Sequence, residues 1–375
     1  MKVALLGPIA WRTPPLHYGP WELITSLLAE GLTARGVDVT LFATLDSVTS
    51  ASLDGVSPSG YEETPALDGR VWEALHVSHA LRRSGEFDLV HNHLDWLPLA
   101  FSQHCAAPML TTVHGFSGPN ILPAYARASS HFVSISDSDR SPELSYIATI
   151  HHGIDLSALP FPAPPSPATP SPSAPGPTSL APRGPASDQP SPSPQPAAAA
   201  AADHDVSSDD LICFGRIHPD KGTDLAIEIA RRAGRRLILC GIVQDQEFFE
   251  SRVAPHIDGD RVVYLGSVGP AQRGKILAAG AALLHPIRFA EPFGLSVVEA
   301  MACGTPVVAY RKGSMPEVVD EGVTGRLVDD LDEAVAAVGA IAGIDRIACA
   351  RRARERFSAD RMVDDYLAIY RKIVS

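Results

Sequence analysis

The chain has 375 residues, of which 45% are hydrophobic and 20% are charged, and its formal net charge is −12. That length suits two domains of ordinary size, and the hydrophobic content suffices for a buried core in each. The negative charge argues against an obligate nucleic-acid or anionic-membrane binder, because both partners favour basic protein surfaces.

The chain opens with a short apolar run over residues 3–7. Such a run is too short for a signal-peptide core or a membrane span. The five cysteines are widely spaced and form no CxxC pair, which is typical of a protein from a reducing compartment. We therefore expect a cytoplasmic protein without stable membrane insertion.

The first half alternates apolar runs with helical stretches. A helix is predicted over 21–35, because Leu23, Ile24, Leu27, Leu28 and Leu32 recur at helical spacing and form an apolar stripe. Strands are predicted over residues 3–7, 37–43, 88–91, 110–114 and 132–136. Each strand run is short and mostly apolar, as expected for a sheet that is covered on both faces.

A proline-rich segment divides the chain. Fifteen of the 33 prolines lie between Pro160 and Pro196, and a run of alanines follows. A segment of this composition has few apolar side chains to bury and few N–H groups to donate. It predicts a disordered linker over residues 158–206.

The second half repeats the pattern of the first. Strands are predicted over residues 211–214, 237–241, 262–265, 282–284 and 307–309, with helices between them, and a last helix over 359–374. Apolar strands alternating with helices indicate parallel sheets covered on both faces. The fold class is therefore α/β, with two doubly wound, Rossmann-like domains. Such domains bind ligands beyond the carboxyl ends of their strands.

Two segments of the second half carry the chemistry. The first is GRIHPDKG at 215–222, which places Arg216 and Lys221 between a strand and a helix start, where both cations suit a pyrophosphate. The second is EPFGLSVVEAMACGTP at 291–306, in which Glu299 suits a ribose diol because a carboxylate accepts two hydrogen bonds. Neither domain has a GxGxxG turn after its first strand, which disfavours a nicotinamide-dependent dehydrogenase.

These segments, with PPLHYGPWE, VHNHLDWLP, TTVHGF and VSISDSDR of the first half, resemble the retaining GT-B glycosyltransferases. That large family includes sucrose synthase and bacterial mannosyltransferases. The resemblance implies a GT-B fold whose two domains face each other across a cleft. An acceptor-side domain would span residues 1–157 and a nucleotide-sugar domain 207–357, with the last helix (358–375) crossing back to the first domain.

The resemblance also implies roles for particular residues. Arg216 and Lys221 would hold the pyrophosphate and stabilise the leaving group, and Glu291 would face the transferred sugar. His114 would reach that sugar from across the cleft. The remaining donor contacts would come from Gly19, Val268, Phe293, Gly294, Leu295 and Glu299. The family usually needs no metal and no cofactor, because fixed cations stabilise the departing diphosphate.

Other residues have more than one interpretation. His91 and His93 share one face of a strand, and we interpret them, with Asp95, as acceptor-side candidates rather than as metal ligands. Ser314 and Glu317 have the spacing of a capping box, which predicts that Glu317 caps a helix.

The function expected from the sequence is retaining transfer of a sugar from a UDP- or GDP-sugar to a small-molecule, glycan or lipid acceptor. A nucleotide-sugar 2-epimerase shares the architecture and is an alternative. A catalytically weak GT-B protein that partners another transferase is a second alternative. It is suggested by Pro20, which follows Tyr18 and Gly19 where the family usually has a second glycine.

Overall fold

The computed structural model describes residues 1–115, 118–161 and 206–375. In the first of its two domains, the described residues form one sheet of seven strands in the order β3-β2-β1-β4-β5-β6-β7. All of its pairings are parallel. The strands are β1 (Lys2–Leu6), β2 (Asp38–Phe42), β3 (Ser52–Asp54), β4 (Leu89–Asn92), β5 (Met109–Val113), β6 (His131–Ser134) and β7 (Tyr146–Thr149).

The second domain is built on a parallel sheet of six strands within the described residues, in the order β10-β9-β8-β11-β12-β13. Its central strands are buried along their length, as expected when helices cover both faces. The strands are β8 (Leu211–Phe214), β9 (Leu237–Cys240), β10 (Val262–Tyr264), β11 (Ala282–His285), β12 (Val307–Tyr310) and β13 (Gly325–Val328).

Helices cover both sheets. Those of the first domain are α1 (Pro20–Ala34), α2 (Gly69–Arg82), α3 (Leu97–Ala100) and α4 (Leu122–Arg127). Those that follow are α5 (Thr223–Arg232), α6 (Gln246–Phe248), α7 (Pro270–Ala279), α8 (Leu295–Ala302), α9 (Met315–Val318), α10 (Leu331–Ala340), α11 (Arg346–Phe357) and α12 (Ala359–Val374). Across the described ranges, the helices include none that is long and apolar enough to cross a bilayer.

The last helix lies on the first domain. Val363, Tyr366 and Tyr370 of α12 share a buried apolar cluster with Leu28 of α1. The two helices pack closely, since a Cβ added at Gly31 would lie 2.5 Å from Cγ2 of Val363. The chain therefore returns to the first domain after completing the second.

Each sheet has one point where the strand order reverses, between β1 and β4 in the first and between β8 and β11 in the second. Loops that leave neighbouring strands in opposite directions open a crevice at such a point, and ligands bind there. The residues that follow β1, β4, β8 and β11 therefore border the two crevices.

The α/β, doubly wound fold predicted from the sequence is confirmed. The bounds of β8 are as predicted, those of the other predicted strands differ by at most two residues at either end, and α1 begins at Pro20 rather than Trp21. Strands β3, β7 and β13 were not predicted. Most of the predicted linker, residues 162–205, lies outside the described residues.

Candidate functional site between the two domains

The loop after β8 places two cations at the reversal point of the second sheet. It passes through a 3₁₀ turn at Pro219–Lys221 and reaches α5 through Gly222, which has φ 67°. A Cβ at Gly222 would lie 2.1 Å from the carbonyl oxygen of Pro286, in the loop after β11. Only glycine lets these two loops approach so closely.

Lys221 forms a half-buried ion pair with Glu291, which also follows β11. The Nζ of Lys221 lies 2.6 Å from Oε2 of Glu291 and 4.6 Å from the ring centroid of Phe289. Burial alone would raise the pKa of Glu291, but neighbouring His285 and Lys221 outweigh it and lower that pKa to about 2. The carboxylate is therefore ionised and charge-paired at neutral pH.

Arg216 lies beside this pair. Its guanidinium donates to the side chains of Gln244 and Asp220, the latter at 3.2 Å. The structure thus brings together Arg216, Lys221 and Glu291, three of the four predicted catalytic residues. Sequence reasoning missed Asp220 and Gln244, because their significance depends on which cation they contact.

The start of α8 adds a backbone element to the same crevice. Gly294 precedes the helix with φ 86°, a conformation that other residues rarely adopt. Leu295 is the first helical residue, so its N–H group and that of Ser296 have no carbonyl partner inside the helix. The next two N–H groups, of Val297 and Val298, donate to the carbonyl of Gly294. Phe293 is buried, with its ring centroid 5.2 Å from that of His152 in the first domain.

Glu299 lies further along α8 and is buried. Its Oε1 accepts a hydrogen bond from Arg273 of α7 at 2.9 Å, while burial raises the pKa of the carboxyl despite this partner. The Arg273 guanidinium also lies 5.2 Å from the ring centroid of Phe214. Arg273 was not predicted as part of the site. Val268, a predicted donor contact, is 3% exposed in the loop after β10.

His114 follows β5 of the first domain and approaches the second domain. A Cβ added to its neighbour Gly115 would lie 3.2 Å from Cγ of Pro292. Both His114 ring nitrogens contact imidazoles, Nε2 with His93 at 3.0 Å and Nδ1 with His152 at 3.3 Å. Burial and these neighbours hold the pKa of His114 well below its ordinary value, so the ring is neutral.

His91 and His93 lie in the interior rather than on the wall of the cleft. Both are fully buried, and their ring centroids are 4.1 Å apart. His91 contacts the hydroxyl groups of Tyr370 at 2.6 Å and Thr112 at 2.8 Å. Helix α12 covers this face of the sheet, so the His91 side chain has no solvent-exposed surface. His93 connects His91 to His114.

The loops after β1 and β4 supply the other first-domain candidates. Gly19 precedes α1 with φ 145°, and a Cβ there would lie 2.9 Å from Oε2 of Glu22. Asp95 accepts a hydrogen bond from the Tyr125 hydroxyl and lines a cavity beside α1. Gly19 and Asp95 therefore both lie at the reversal point of the first sheet.

The capping prediction for Glu317 is wrong. Ser314 precedes α9 without a side-chain capping bond. The Glu317 carboxylate instead accepts hydrogen bonds from the backbone N–H groups of Asp137 at 2.8 Å and Ser138 at 2.6 Å. Glu317 thus joins the two domains, a role that its local sequence pattern does not reveal.

No cluster of three or more histidine, cysteine or carboxylate side chains within residues 1–115, 118–161 and 206–375 has an arrangement that would hold a metal ion.

Comparison with known proteins finds similarity to the second domain and to the chain as a whole. Residues 196–355 match the family Glycosyl transferases group 1. The glycogen synthase of Mycobacterium tuberculosis is 25% identical over an alignment 415 residues long, which covers 96% of this chain and 90% of that protein. The D-inositol 3-phosphate glycosyltransferase of Mycobacterium marinum is 32% identical over 175 residues, which cover 43% of this chain and 37% of that protein.

Solved structures show the same two-domain architecture. Sucrose-phosphate synthase from Thermosynechococcus elongatus superposes with a TM-score of 0.72 at 20% identity, over 100% of this chain and 99% of that one. AviGT4, a glycosyltransferase involved in avilamycin A biosynthesis, gives 0.67 at 23% identity, over 100% and 98% of the two chains. These likenesses establish the GT-B fold.

Proposed function

We propose that this chain moves a sugar from a nucleoside diphosphate donor to an acceptor hydroxyl with retention of configuration. It is a GT-B glycosyltransferase, and its residues 196–355 match the family Glycosyl transferases group 1. One observation carries the proposal. The Lys221–Glu291 pair, with Arg216 beside it, lies at the reversal point of the second sheet and faces the first domain near Gly115.

The donor fits this crevice in one orientation. Arg216 and Lys221 would hold the pyrophosphate, and the free N–H groups at Gly294 and Leu295 would bind its distal phosphate. Lysine has three donors, so Lys221 can bond a phosphate oxygen while it keeps Glu291. The ribose would lie against Glu299, and the base against Val268. Since UDP and GDP share that ribose, both are candidate donors.

The chemistry follows from the charges. As the bond from the anomeric carbon to the phosphate oxygen breaks, negative charge grows on the diphosphate beside Lys221 and Arg216. Fixed cations stabilise that charge most in the transition state, and on this account the reaction needs no metal ion. Activity that persists in excess EDTA would support this part of the proposal, and loss of activity would contradict it.

Retention would result from attack on the face that the diphosphate leaves. Glu291 is a poor nucleophile, because Lys221 pairs with its charge and its pKa is low. The acceptor oxygen would bond to the anomeric carbon as the donor bond breaks, and the departing phosphate oxygen would take the acceptor proton. His114 would exchange one imidazole contact for a hydroxyl of the transferred sugar.

The experiment is a transfer assay with UDP- and GDP-sugars and a panel of small-molecule, glycan and lipid acceptors. We expect acceptor-dependent release of the nucleoside diphosphate and a product that keeps the donor's anomeric configuration by NMR. Lys221→Ala should lose this release, whereas Lys372→Ala, an exposed lysine on α12, should keep it. An inverted product would contradict retention.

Two results would replace the proposal with an alternative from the sequence. Interconversion of the donor sugar without acceptor would indicate an epimerase. Nucleotide binding without turnover of any donor would indicate a partner protein of another transferase.

A further inference from the structure

The first domain contains an open cavity of about 430 Å³ next to the donor crevice. Aromatic rings and carboxylates dominate its lining. The rings belong to Trp11, Tyr18, Trp21, Tyr61 and Trp96, and the carboxylates to Glu22, Glu73 and Asp95. Among the described residues that line it, none is a lysine, arginine or histidine.

The cavity adjoins the place where the transferred sugar would lie. The ring of Trp21 stacks on His114 with centroids 5.3 Å apart. Burial raises the pKa of Tyr18, and Arg216 and Glu291 of the second domain are near enough to act on it. A ligand in the cavity would therefore touch side chains that border the donor crevice.

Two of the carboxylates are held in place by the first domain. Oε1 of Glu22 accepts the N–H of Trp11 at 3.2 Å, and Oε1 of Glu73 accepts the hydroxyl of Tyr61 at 2.9 Å. Burial raises the pKa of Glu22 to about 7 and also raises that of Glu73. Neither carboxyl therefore has a cation that offsets its burial.

This chemistry selects among ligands. Flat ring faces pack against the C–H faces of sugars and attract cations, and carboxylates accept bonds from hydroxyl and ammonium groups. A phosphate placed here would be desolvated beside carboxyl groups, and the described residues that line the cavity offer no cation to receive it. The adjoining surface hollow is also acidic, since its lining includes the carboxylates of Glu62 and Asp68 beside a single cation, Arg70.

We propose that this cavity is the acceptor subsite and that it takes an uncharged or amino-bearing polyhydroxylated ring, while it rejects phosphorylated acceptors. The proposal rests on the transferase function above and adds the class of acceptor. It separates this chain from relatives such as the D-inositol 3-phosphate glycosyltransferases, whose name specifies a phosphorylated compound.

Tryptophan fluorescence gives a readout that is independent of turnover, because Trp11, Trp21 and Trp96 are three of the chain's four tryptophans. We would titrate the full chain, saturated with UDP or GDP, with inositol, monosaccharides, amino sugars and disaccharides, each paired with its phosphate monoester. We expect saturable binding of uncharged or amino members, at least about tenfold tighter than that of their phosphate esters.

Variants locate the effect in the cavity. Trp96→Ala should weaken binding of the best sugar by about tenfold, since Trp96 is 43% exposed and offers a ring face. Glu73→Arg should reduce the preference of the cavity for the uncharged sugar over its phosphate ester. If the arginine variant does not fold, Glu73→Gln should reduce the same preference by a smaller factor. Glu355→Arg makes the same charge change at an exposed site on α11 and should leave the preference unchanged.

Equal or tighter binding of the phosphate esters would overturn the proposal. So would the absence of a response to every uncharged and amino member of the panel. Calorimetric titration of the wild type with UDP and GDP reports separately on the donor site, so a failure of the transferase proposal would be distinguishable.

Discussion

Lys221→Ala should destabilise the protein, because it leaves the buried Glu291 carboxylate without its cation. The surroundings lower the pKa of Glu291 from 4.5 to about 2. At about 1.4 kcal/mol per pKa unit, that difference corresponds to about 3 kcal/mol, of which His285 supplies a part. We therefore expect the free energy of unfolding of Lys221→Ala to fall by about 2–3 kcal/mol at pH 7.

The pH dependence has a defined sign. Because the folded-state pKa of Glu291 is depressed, the contribution of Glu291 to the free energy of unfolding is present above about pH 4.5 and is lost as the pH falls toward 2. In Lys221→Ala burial dominates and raises that pKa, so less stability remains to be lost on acidification. Urea unfolding of the ligand-free protein at pH 7 and pH 4 measures both effects, with Lys372→Ala as the control.

The double variant Lys221→Ala/Glu291→Gln separates stability from catalysis. Removing the orphaned charge should restore most of the lost stability, while turnover should stay about two powers of ten below the wild type, as for loss of one transition-state contact. If the single and double variants were equally stable at pH 7, the account of the buried pair would be refuted. Recovery of turnover in the double variant would refute the catalytic role of Lys221.

Three further predictions test other parts of the account. Pro20→Gly should change kcat/KM by less than about tenfold, because Pro20 occupies the first position of α1 and Gly19 already has φ 145°; a larger gain in donor turnover would favour the partner-protein alternative. Deleting residues 163–197 should leave soluble protein whose unfolding free energy changes by about 1 kcal/mol or less, and loss of soluble protein would contradict the predicted linker. Glu317→Ala should lower the unfolding free energy by about 1–3 kcal/mol, because two backbone N–H groups lose a charged acceptor. The control Glu321→Ala, at an exposed position, should change the unfolding free energy by less, and equal effects of the two variants would exclude the interdomain role of Glu317.

Much of the fold follows from local sequence. The central strands are continuous apolar runs, and burial on both faces requires that composition. The missed strands β3 and β7 lie at the two opposite edges of the first sheet. Both carry exposed or half-buried side chains, so their hydrophobic signal is weak. Short β13 is likewise an edge strand with a mixed pattern.

The candidate site was predictable where its residues follow strands in recognisable segments, as Arg216, Lys221 and Glu291 do. Two partners were not predictable, His285 of Glu291 and Arg273 of Glu299, because they come close only through tertiary packing. Side chains alternate between the two faces of a strand, which placed His91 and His93 on one face, as observed. No local signal showed that Tyr370 of α12 would cover that face.

The central claim is that the second domain binds a nucleoside diphosphate, with Glu299 on the ribose. Calorimetric titration of the wild type and Glu299→Gln with UDP, GDP and ADP tests it directly. We expect at least one nucleotide to bind the wild type, and its affinity to fall about ten- to a hundredfold in the variant, since hydrogen bonds to a charged group contribute about 1.5–3 kcal/mol. Equal affinity in both proteins, or no binding of any of the three nucleotides, would contradict the account.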